Sequence, residues 1–352
     1  MKAAEISPVT LEQVLSHYPS LGTLRATVRN GLSRNHAACL LETTTGRYFA
    51  KGYELRWSDR SALQGEHAII RHLVLSGYPT PRLHENTESE TLTWLDGIPY
   101  ALFDEARGED RYGHSPVFTP FATRGEAFSA GSHLARLHLN LQSMPPLPPR
   151  SFNGLTARYQ LMEEASISEG FKNLLPTSPL LQQFLAERPE VPWLLARMSG
   201  YRDRLAEAWP HCPRGPIHGD FIKRNLLWEG QEVASVLDFD LWNEGAWVYD
   251  LALALLPCGF NWTDLLESIG EVNRQALGAF LEGYQAFRPL EEAERVVLPW
   301  VMESARFEFY LSAIAASLDR GDPPQAEQFW RLLVGVFDWF ERHHDWKRGF
   351  FC

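Results

Sequence analysis

Cysteine is scarce and unpaired. The 352 residues include four, Cys39, Cys212, Cys258 and Cys352, far apart and without a CxxC pair. That spacing excludes a disulfide scaffold or a zinc ribbon and fits a reducing cytoplasm. Long apolar runs are missing as well, so no membrane span is expected. Leu251–Cys258 is apolar but short, and Pro257 is expected to end it. The first twenty residues carry Glu5 and Glu12 and lack the apolar core of a secretion signal. Nor is there a basic excess: the net charge of −11 weighs against nucleic acid as the partner. Internal repeats, low-complexity tracts and a GxGxxG loop are also absent.

What is present suits a folded protein. Hydrophobic residues make up 45% and charged residues 22%, which argues against disorder. The length implies two domains or one large bilobal unit, either able to bury a core. The first 106 residues hold 10 Lys and Arg against 12 Asp and Glu, a net of −2; the remainder hold 23 against 32, a net of −9. An acidic second part mildly favours a cationic acceptor there, although solubility alone accounts for such an excess.

Along the chain, Leu11–Tyr18 reads as a helix. Arg25–Arg29, Ala37–Thr43 and Arg47–Tyr53 read as strands, punctuated by Asn30-Gly31 and Thr45-Gly46. In Ser61–Ser76, Leu63, Ile69, Ile70, Leu73 and Val74 recur at helical spacing, and Gly77 marks the stop. Glu90–Trp94 and Tyr100–Asp104 are the next strands. The result is a small α+β lobe, residues 1–106, joined near residues 104–108 to a larger lobe, 107–352. The second lobe is mainly helical. Arg124–Leu141 forms a long helix broken by the Pro-rich Met144–Arg150, residues 151–190 form short helices and loops, and Val191–Trp209 is helical again. Pro213–Pro216 interrupts it, and the stretch after Trp262 is helical with breaks at Pro289 and Gly321–Pro324.

The chemistry is concentrated in Ile217–Asp250. Asp220 and Asn225 are five apart across a loop. Leu226–Trp228 and Val233–Leu237 read as two strands of a hairpin turned at Glu229-Gly230, which is expected to return Asp238 beside Asn225. A carboxylate and an amide oxygen suit one hard divalent cation; Mg²⁺ binds few protein oxygens and leaves positions for phosphates. Asp220, near but separate, suits the base for an acceptor hydroxyl. His218-x-Asp220 with Asn225, followed by Asp238-Phe239, is the kinase catalytic set. With five specified residues at about one in twenty each, fortuitous alignment is of order 1 in 10,000.

His218-Gly219-Asp220 in place of His-Arg-Asp, and Asp238-Phe239-Asp240 in place of Asp-Phe-Gly, resemble the aminoglycoside/choline/homoserine kinase-like phosphotransferases. VYDLALAL resembles that family's helix start. FAKGYELRW with QGEHAII is similar to its stress-response kinase A branch, and RFEFYLSAI to its homoserine kinases. The resemblance implies a bilobal protein-kinase-like fold, with a β-rich N-lobe and a larger, mainly helical C-lobe. It implies ATP and Mg²⁺ as well, and a strand lysine that grips the phosphates, paired with a helix glutamate; Lys51 and Glu66 occupy those places. The shorter phosphate loop implied by the resemblance falls on Gly31 and Ser33. The hinge falls on Asp104 and Ala106, whose backbone meets the adenine, with Phe103 lining the pocket. Asp240 is a second metal contact by the same match.

Plainer alternatives exist: a solvated lysine for Lys51 and an ordinary hairpin turn for Gly31 and Ser33. His218 is expected to pack rather than act as a general base, and Lys223 to be a solvated charge rather than to steady the transferring phosphoryl group. Asp250 is expected to cap the Leu251 helix or tie down the catalytic loop. For the acceptor, Trp242, Glu244, Trp247 and Tyr249 follow the metal loop, and Glu303, Arg306, Glu308 and Tyr310 share a late helix. Aromatics with acids suit an ammonium, and Arg306 suits a carboxylate, while Trp300, Phe307 and Tyr310 at helical spacing also suit a core. The reading is an ATP- and Mg²⁺-dependent kinase acting on a small molecule: an amino alcohol, a hydroxy amino acid or an aminoglycoside. A protein Ser/Thr kinase of the stress-response type and a non-catalytic nucleotide-binding pseudokinase are the alternatives.

Overall fold

A computed structural model describes residues 5–31, 36–55, 59–113, 115, 119–147, 166–175, 178–261 and 271–348. They form two compact units. The first holds residues 5–109 together with 144–147 and Ala234–Asp240; the second holds the rest. The segment carrying Asp238 and Asp240 therefore folds with the first unit, although its sequence neighbours belong to the second.

In the first unit, α1 (Pro8–Ser16) starts where Ser7 Oγ accepts the Thr10 N–H at 3.1 Å, with Pro8 at its first position. Strands β1 (Leu24–Asn30), β2 (Ala37–Thr43), β3 (Arg47–Gly52), β4 (Thr93–Leu95) and β5 (Ile98–Asp104) make one antiparallel sheet in the order β1-β2-β3-β5-β4. Leu11, Val14 and Leu15 of α1 pack with Cys39, Leu41, Ala50 and Leu102 of the sheet. Helix α2 (Arg60–Leu75) is capped by Asp59, whose side chain accepts the Ala62 N–H at 2.7 Å. It buries Leu63, Ile69, Ile70 and Leu73, four of the five residues that carried the helical period, together with Glu66, and leaves the fifth, Val74, half-buried.

One strand differs from its sequence reading. Glu90–Trp94 was expected, but β4 begins at Thr93 and pairs Leu95 with Ile98 across Asp96-Gly97. Both turn residues have positive φ, 49° and 79°, the geometry of a two-residue hairpin. The Asp-Gly turn, not the apolar spacing, sets this register.

The second unit begins with α3 (Arg124–Leu141), which has a capping box formed by Thr123 and Glu126. Helices α4 (Ile167–Leu174), α5 (Pro179–Ala186) and α6 (Val191–Leu205) follow. Arg214–Ile217, expected only as a Pro-rich interruption, is strand β6. The hairpin strands β7 (Leu226–Glu229) and β8 (Glu232–Val236) come next, and β9 (Asn243–Ala246) pairs antiparallel with β6. Pro216 is tolerated because this sheet has only two strands, so the side of β6 away from β9 owes no ladder bonds.

Helix α7 (Trp247–Gly259) carries Pro257 within its last turn and ends two residues later, at Gly259 rather than at the proline. A short pair, β10 (Phe260–Asn261) and β11 (Glu271–Val272), precedes α8 (Arg274–Phe287), α9 (Glu292–Asp319) and α10 (Pro323–Arg342). Among the described residues no helix is long and apolar enough to cross a membrane.

Helices α3 and α8 meet backbone to backbone. A Cβ on Gly131 would come within 2.0 Å of the Phe280 carbonyl oxygen, and one on Gly283 within 2.0 Å of the Phe128 carbonyl oxygen. Gly283→Ala is therefore expected to lower unfolding stability by about 1–3 kcal/mol, the usual penalty for overpacking. Denaturant titration of that variant, with Gly200→Ala, an exposed helical glycine with open space around its Cβ position, as a control for glycine replacement in a helix, checks it.

Candidate active site

Within the second unit the catalytic loop follows β6. Asp220 and Asn225 face each other across it. The Asn225 Nδ2 donates to the Asp220 carbonyl at 2.9 Å and to its Oδ2 at 3.0 Å. The donor end of the amide is thus committed to Asp220, and the acceptor end, Oδ1, is the part able to meet a cation. Gly219 explains why this loop reads His-Gly-Asp. Its φ is +75°, and a Cβ there would lie 2.0 Å from the Leu241 carbonyl oxygen.

The loop is held from beneath by a buried carboxylate. Asp250 of α7, 0% exposed, accepts the N–H of His218 at 2.8 Å and that of Gly219 at 2.9 Å. Its Oδ2 also meets His138 Nε2 at 3.1 Å. The proton arrangement follows from the donors. Arg288, which can only donate, gives a bond of 3.0 Å to Tyr284 Oη; the tyrosine then donates to His138 Nδ1 at 2.7 Å, and Nε2–H points at Asp250. Burial would raise the Asp250 carboxyl, but His138, His218 and the backbone donor hold it below its ordinary value. Glu294 completes the chain at 3.0 Å from Arg288. The sequence suggested a loop anchor only for Asp250; His138, Tyr284, Arg288 and Glu294 carry no local signal.

Three other loop residues are placed by packing. His218 is fully buried and meets the Phe221 ring edge-on, with centroids 5.6 Å apart. Lys223, read as a solvated charge, is instead 4% exposed. Its Nζ donates to the Thr119 carbonyl at 2.8 Å and to the Thr119 hydroxyl. Burial first, and Arg224 second, bring its ammonium down to about 8. Arg224 donates to the Ser115 carbonyl at 2.8 Å. The Lys-Arg pair therefore ties the catalytic loop to the segment leading into α3.

The first unit gathers the remaining charged groups. Lys51 on β3 is 3.5 Å from Glu66 on α2, 3.2 Å from Asp238 and in contact with Asp240. Burial alone would lower this ammonium, but Asp240, Glu66 and Asp238 outweigh it and hold it well above its usual value. Burial pushes Glu66 up to about 8 against the pull of Lys51. Asp240 engages both oxygens: one with Lys51, the other with His36 Nε2 at 2.8 Å. Asp238 differs. Its side chain is 45% exposed against 12% for Asp240, and its φ of +65° is a strained geometry for a non-glycine residue, of a kind found at functional sites.

With Glu66 pushed toward its neutral form, Asp238 and Asp240 set two carboxylates against the one Lys51 ammonium, a balance that favours a further cation. The donor set therefore fits Mg²⁺: hard oxygens, few of them, with the exposed Asp238 available. Among the described residues no group of three or more His, Cys, Asp or Glu converges as a cage made only of protein groups. A site completed by phosphate oxygens does not need one.

The described residues expected to meet the nucleotide lie in the same unit. Phe103, on β5, is buried between Phe49 and His67, its ring centroid 6.5 Å and 6.3 Å from theirs. The Asp104 N–H donates to the Arg82 carbonyl at 2.9 Å, and its carboxylate meets His84 at 2.7 Å. Gly31 has φ +68°, and its N–H donates to Asn30 Oδ1 at 3.0 Å. Ser33 lies outside the described residues.

On the acceptor side, in the second unit, Phe307 and Tyr310 are core residues, 1% and 0% exposed. Glu303 is engaged by Lys347 at 2.7 Å and by Trp346 Nε1 at 2.9 Å. Arg306 is 2% exposed. Its guanidinium faces the Phe309 ring at 5.5 Å, and burial brings it down to about 10 against the opposing influence of Tyr310 and Tyr249.

The pattern of the phosphotransferase enzyme family matches residues 28–293, three quarters of the chain. A homoserine kinase of Methylorubrum populi is 29% identical over 276 residues, covering 78% of this chain and 75% of the relative. One of a Caulobacter species is 28% identical over 287 residues, covering 81% and 78%. Among solved structures, a microcompartment-associated aminopropanol kinase superposes with a TM-score of 0.62 at 18% identity, covering 96% of this chain and 98% of that one. An amicoumacin kinase with AMP-PNP and Ca²⁺ gives 0.60 at 16%, covering 94% and 92%. These likenesses give the fold as protein-kinase-like, with a β-sheet N-terminal part and a mostly helical C-terminal part. With that match running from the first strand through the catalytic loop, the chain belongs to the phosphotransferase enzyme family and is an ATP-dependent kinase acting on the hydroxyl of a small molecule.

Proposed function

We propose that the acceptor is a small hydroxy amino acid, with homoserine the first to test, and that Mg²⁺ accompanies ATP. The Asp220–Asn225 pairing carries the chemical part of this reading: a carboxylate held by an amide whose own oxygen is left for a cation. Asp220 takes the proton of the acceptor hydroxyl as its oxygen bonds to the γ-phosphorus; the bond to the β-bridging oxygen breaks and ADP leaves. Asn225 Oδ1 and Asp238 are the residues that would hold the metal. When bound, Mg²⁺ neutralises the phosphate charge that builds up on the leaving group. Lys51, steadied by Glu66, binds the phosphates. The Asp104 carbonyl and the Ala106 N–H receive the base beside Phe103, and a phosphate at Gly31 replaces the Asn30 side chain there.

Support for an amino-acid acceptor comes from the homoserine kinases it matches over most of their length and from Arg306, a buried guanidinium suited to a carboxylate. A protein acceptor and a non-catalytic role gain no support from these relatives. The three buried free thiols, Cys39, Cys212 and Cys258, agree with a cytoplasmic setting.

The test is γ-phosphate transfer from labelled Mg·ATP to homoserine and to 3-aminopropanol, which is homoserine without its carboxylate. Aminoglycosides and a generic protein complete the panel. Homoserine is expected to be preferred by kcat/KM. Equal use of 3-aminopropanol overturns the amino-acid reading, and label on protein alone favours the protein-kinase alternative.

A further inference from the structure

His36 has no part in the chemistry above, yet it is fixed on three sides. Its side chain is 2% exposed. Its Nδ1 accepts the Glu54 N–H at 3.1 Å, its ring meets Tyr53 edge-on at 5.3 Å, and its Nε2 lies 2.8 Å from Asp240. Because Nδ1 accepts, the proton of the neutral imidazole sits on Nε2 and is donated to Asp240. Tyr53, which supports the ring, is itself held, with its hydroxyl 3.2 Å from Glu66 and 3.1 Å from His67 Nε2.

Asp240 therefore has one oxygen on a rigidly placed donor and the other on Lys51. Lys51 is the ammonium meant for the nucleotide phosphates, and Asp240 meets it as a phosphate oxygen would. Asp238, two residues earlier, is the exposed carboxylate. The two aspartates of this Asp-Phe-Asp segment thus stand in different roles: one outward and available to a cation, the other turned in and occupied at both oxygens.

We propose that Asp240 is a built-in anion that occupies Lys51 before nucleotide binds, and that His36 is the positioning residue that holds it there. The proposal rests on the nucleotide reading of Lys51. Phosphate must take Lys51 from Asp240, while the His36 N–H retains the displaced carboxylate. Metal-free ATP, which brings no cation to offset the carboxylates, meets this competition in full.

Calorimetric titration of the full-length protein with ATP, with and without Mg²⁺, tests this without any turnover. Asp240→Asn removes the competing charge a few ångströms from the phosphates, and metal-free ATP is expected to bind about tenfold more tightly. His36→Ala should shift affinity in the same direction. His36→Gln, whose amide N–H can replace Nε2–H, should restore the parent value. A merely structural lesion would weaken binding, so the sign of the change is diagnostic even where a variant loses stability. Weaker Mg·ATP binding by Asp240→Asn with metal-free ATP unchanged would make Asp240 a metal ligand and overturn the proposal. An unchanged affinity in His36→Ala would overturn the role of His36. A parent protein that binds no ATP in either condition would overturn the nucleotide reading itself.

Discussion

Asp220→Asn is expected to lower kcat by about 10²–10⁴-fold while leaving affinity for ATP unchanged, because it removes a general base and little else. The two side chains have the same shape. The Asn225 Nδ2 can keep its bond to the backbone carbonyl of residue 220, 2.9 Å away, and bond the new amide oxygen in place of Oδ2. The loop is anchored below by Asp250 through the N–H groups of His218 and Gly219, neither of which the substitution touches. What disappears is the negative charge and the oxygen that accepts the hydroxyl proton. Steady-state kinetics with Mg·ATP, alongside calorimetric binding, measures both quantities. A kcat within tenfold of the parent would remove Asp220 from the chemistry, and a proportionate loss of ATP affinity would make its role structural.

Asp250→Ala should have the largest effect on stability, about 3–5 kcal/mol, the range for breaking a buried charged network from one side. The substitution strands the His218 and Gly219 N–H groups and the His138 Nε2–H with no acceptor in a fully buried position. Asp250→Asn keeps the volume and gives a smaller loss. Acid dependence separates this network from ordinary packing. The Asp250 carboxyl is lower in the folded protein than in the unfolded chain, so its contribution is complete above the ordinary carboxylate range and is lost as pH falls below it. Burial also lowers the folded-state value of His138, and protonation at acid pH therefore favours the unfolded chain as well. Both groups act in one direction: denaturant midpoints of the parent should fall between about pH 6 and pH 3, and those of Asp250→Asn less steeply. Parallel slopes would mean that the carboxylate is not linked to folding as described.

Much of the site was legible because its parts lie close together in the chain. Asp220 and Asn225 are five residues apart in one loop, and a single hairpin separates them from Asp238. The helical period of α2 was carried by Leu63, Ile69, Ile70, Leu73 and Val74, the first four of which are buried and the last half-buried, and that period put Glu66 on the same helix. Apart from β4, whose start the Asp96-Gly97 turn set, the misjudged features were those whose partners are distant. Arg214–Ile217 looks like a proline interruption until Asn243–Ala246, nearly thirty residues later, pairs with it. Lys223 looks solvated until Thr119, more than a hundred residues earlier, accepts its hydrogen bonds.

The reaction class, the α+β order and the candidate base and metal ligands were written in local spacing, since a loop of five residues and a hairpin turn constrain their own ends. Tertiary structure decided the environment of each charge. It set Asp238 exposed and Asp240 enclosed two residues apart, because the segment Ala234–Asp240 folds against the first unit, where Lys51 and His36 wait. It also assembled Glu294, Arg288, Tyr284, His138 and Asp250, from four helices and the residue that follows one of them, into one buried chain beneath the catalytic loop. Pattern reading follows neighbours along the backbone, whereas burial and protonation depend on whatever packs around a group, near or far in sequence.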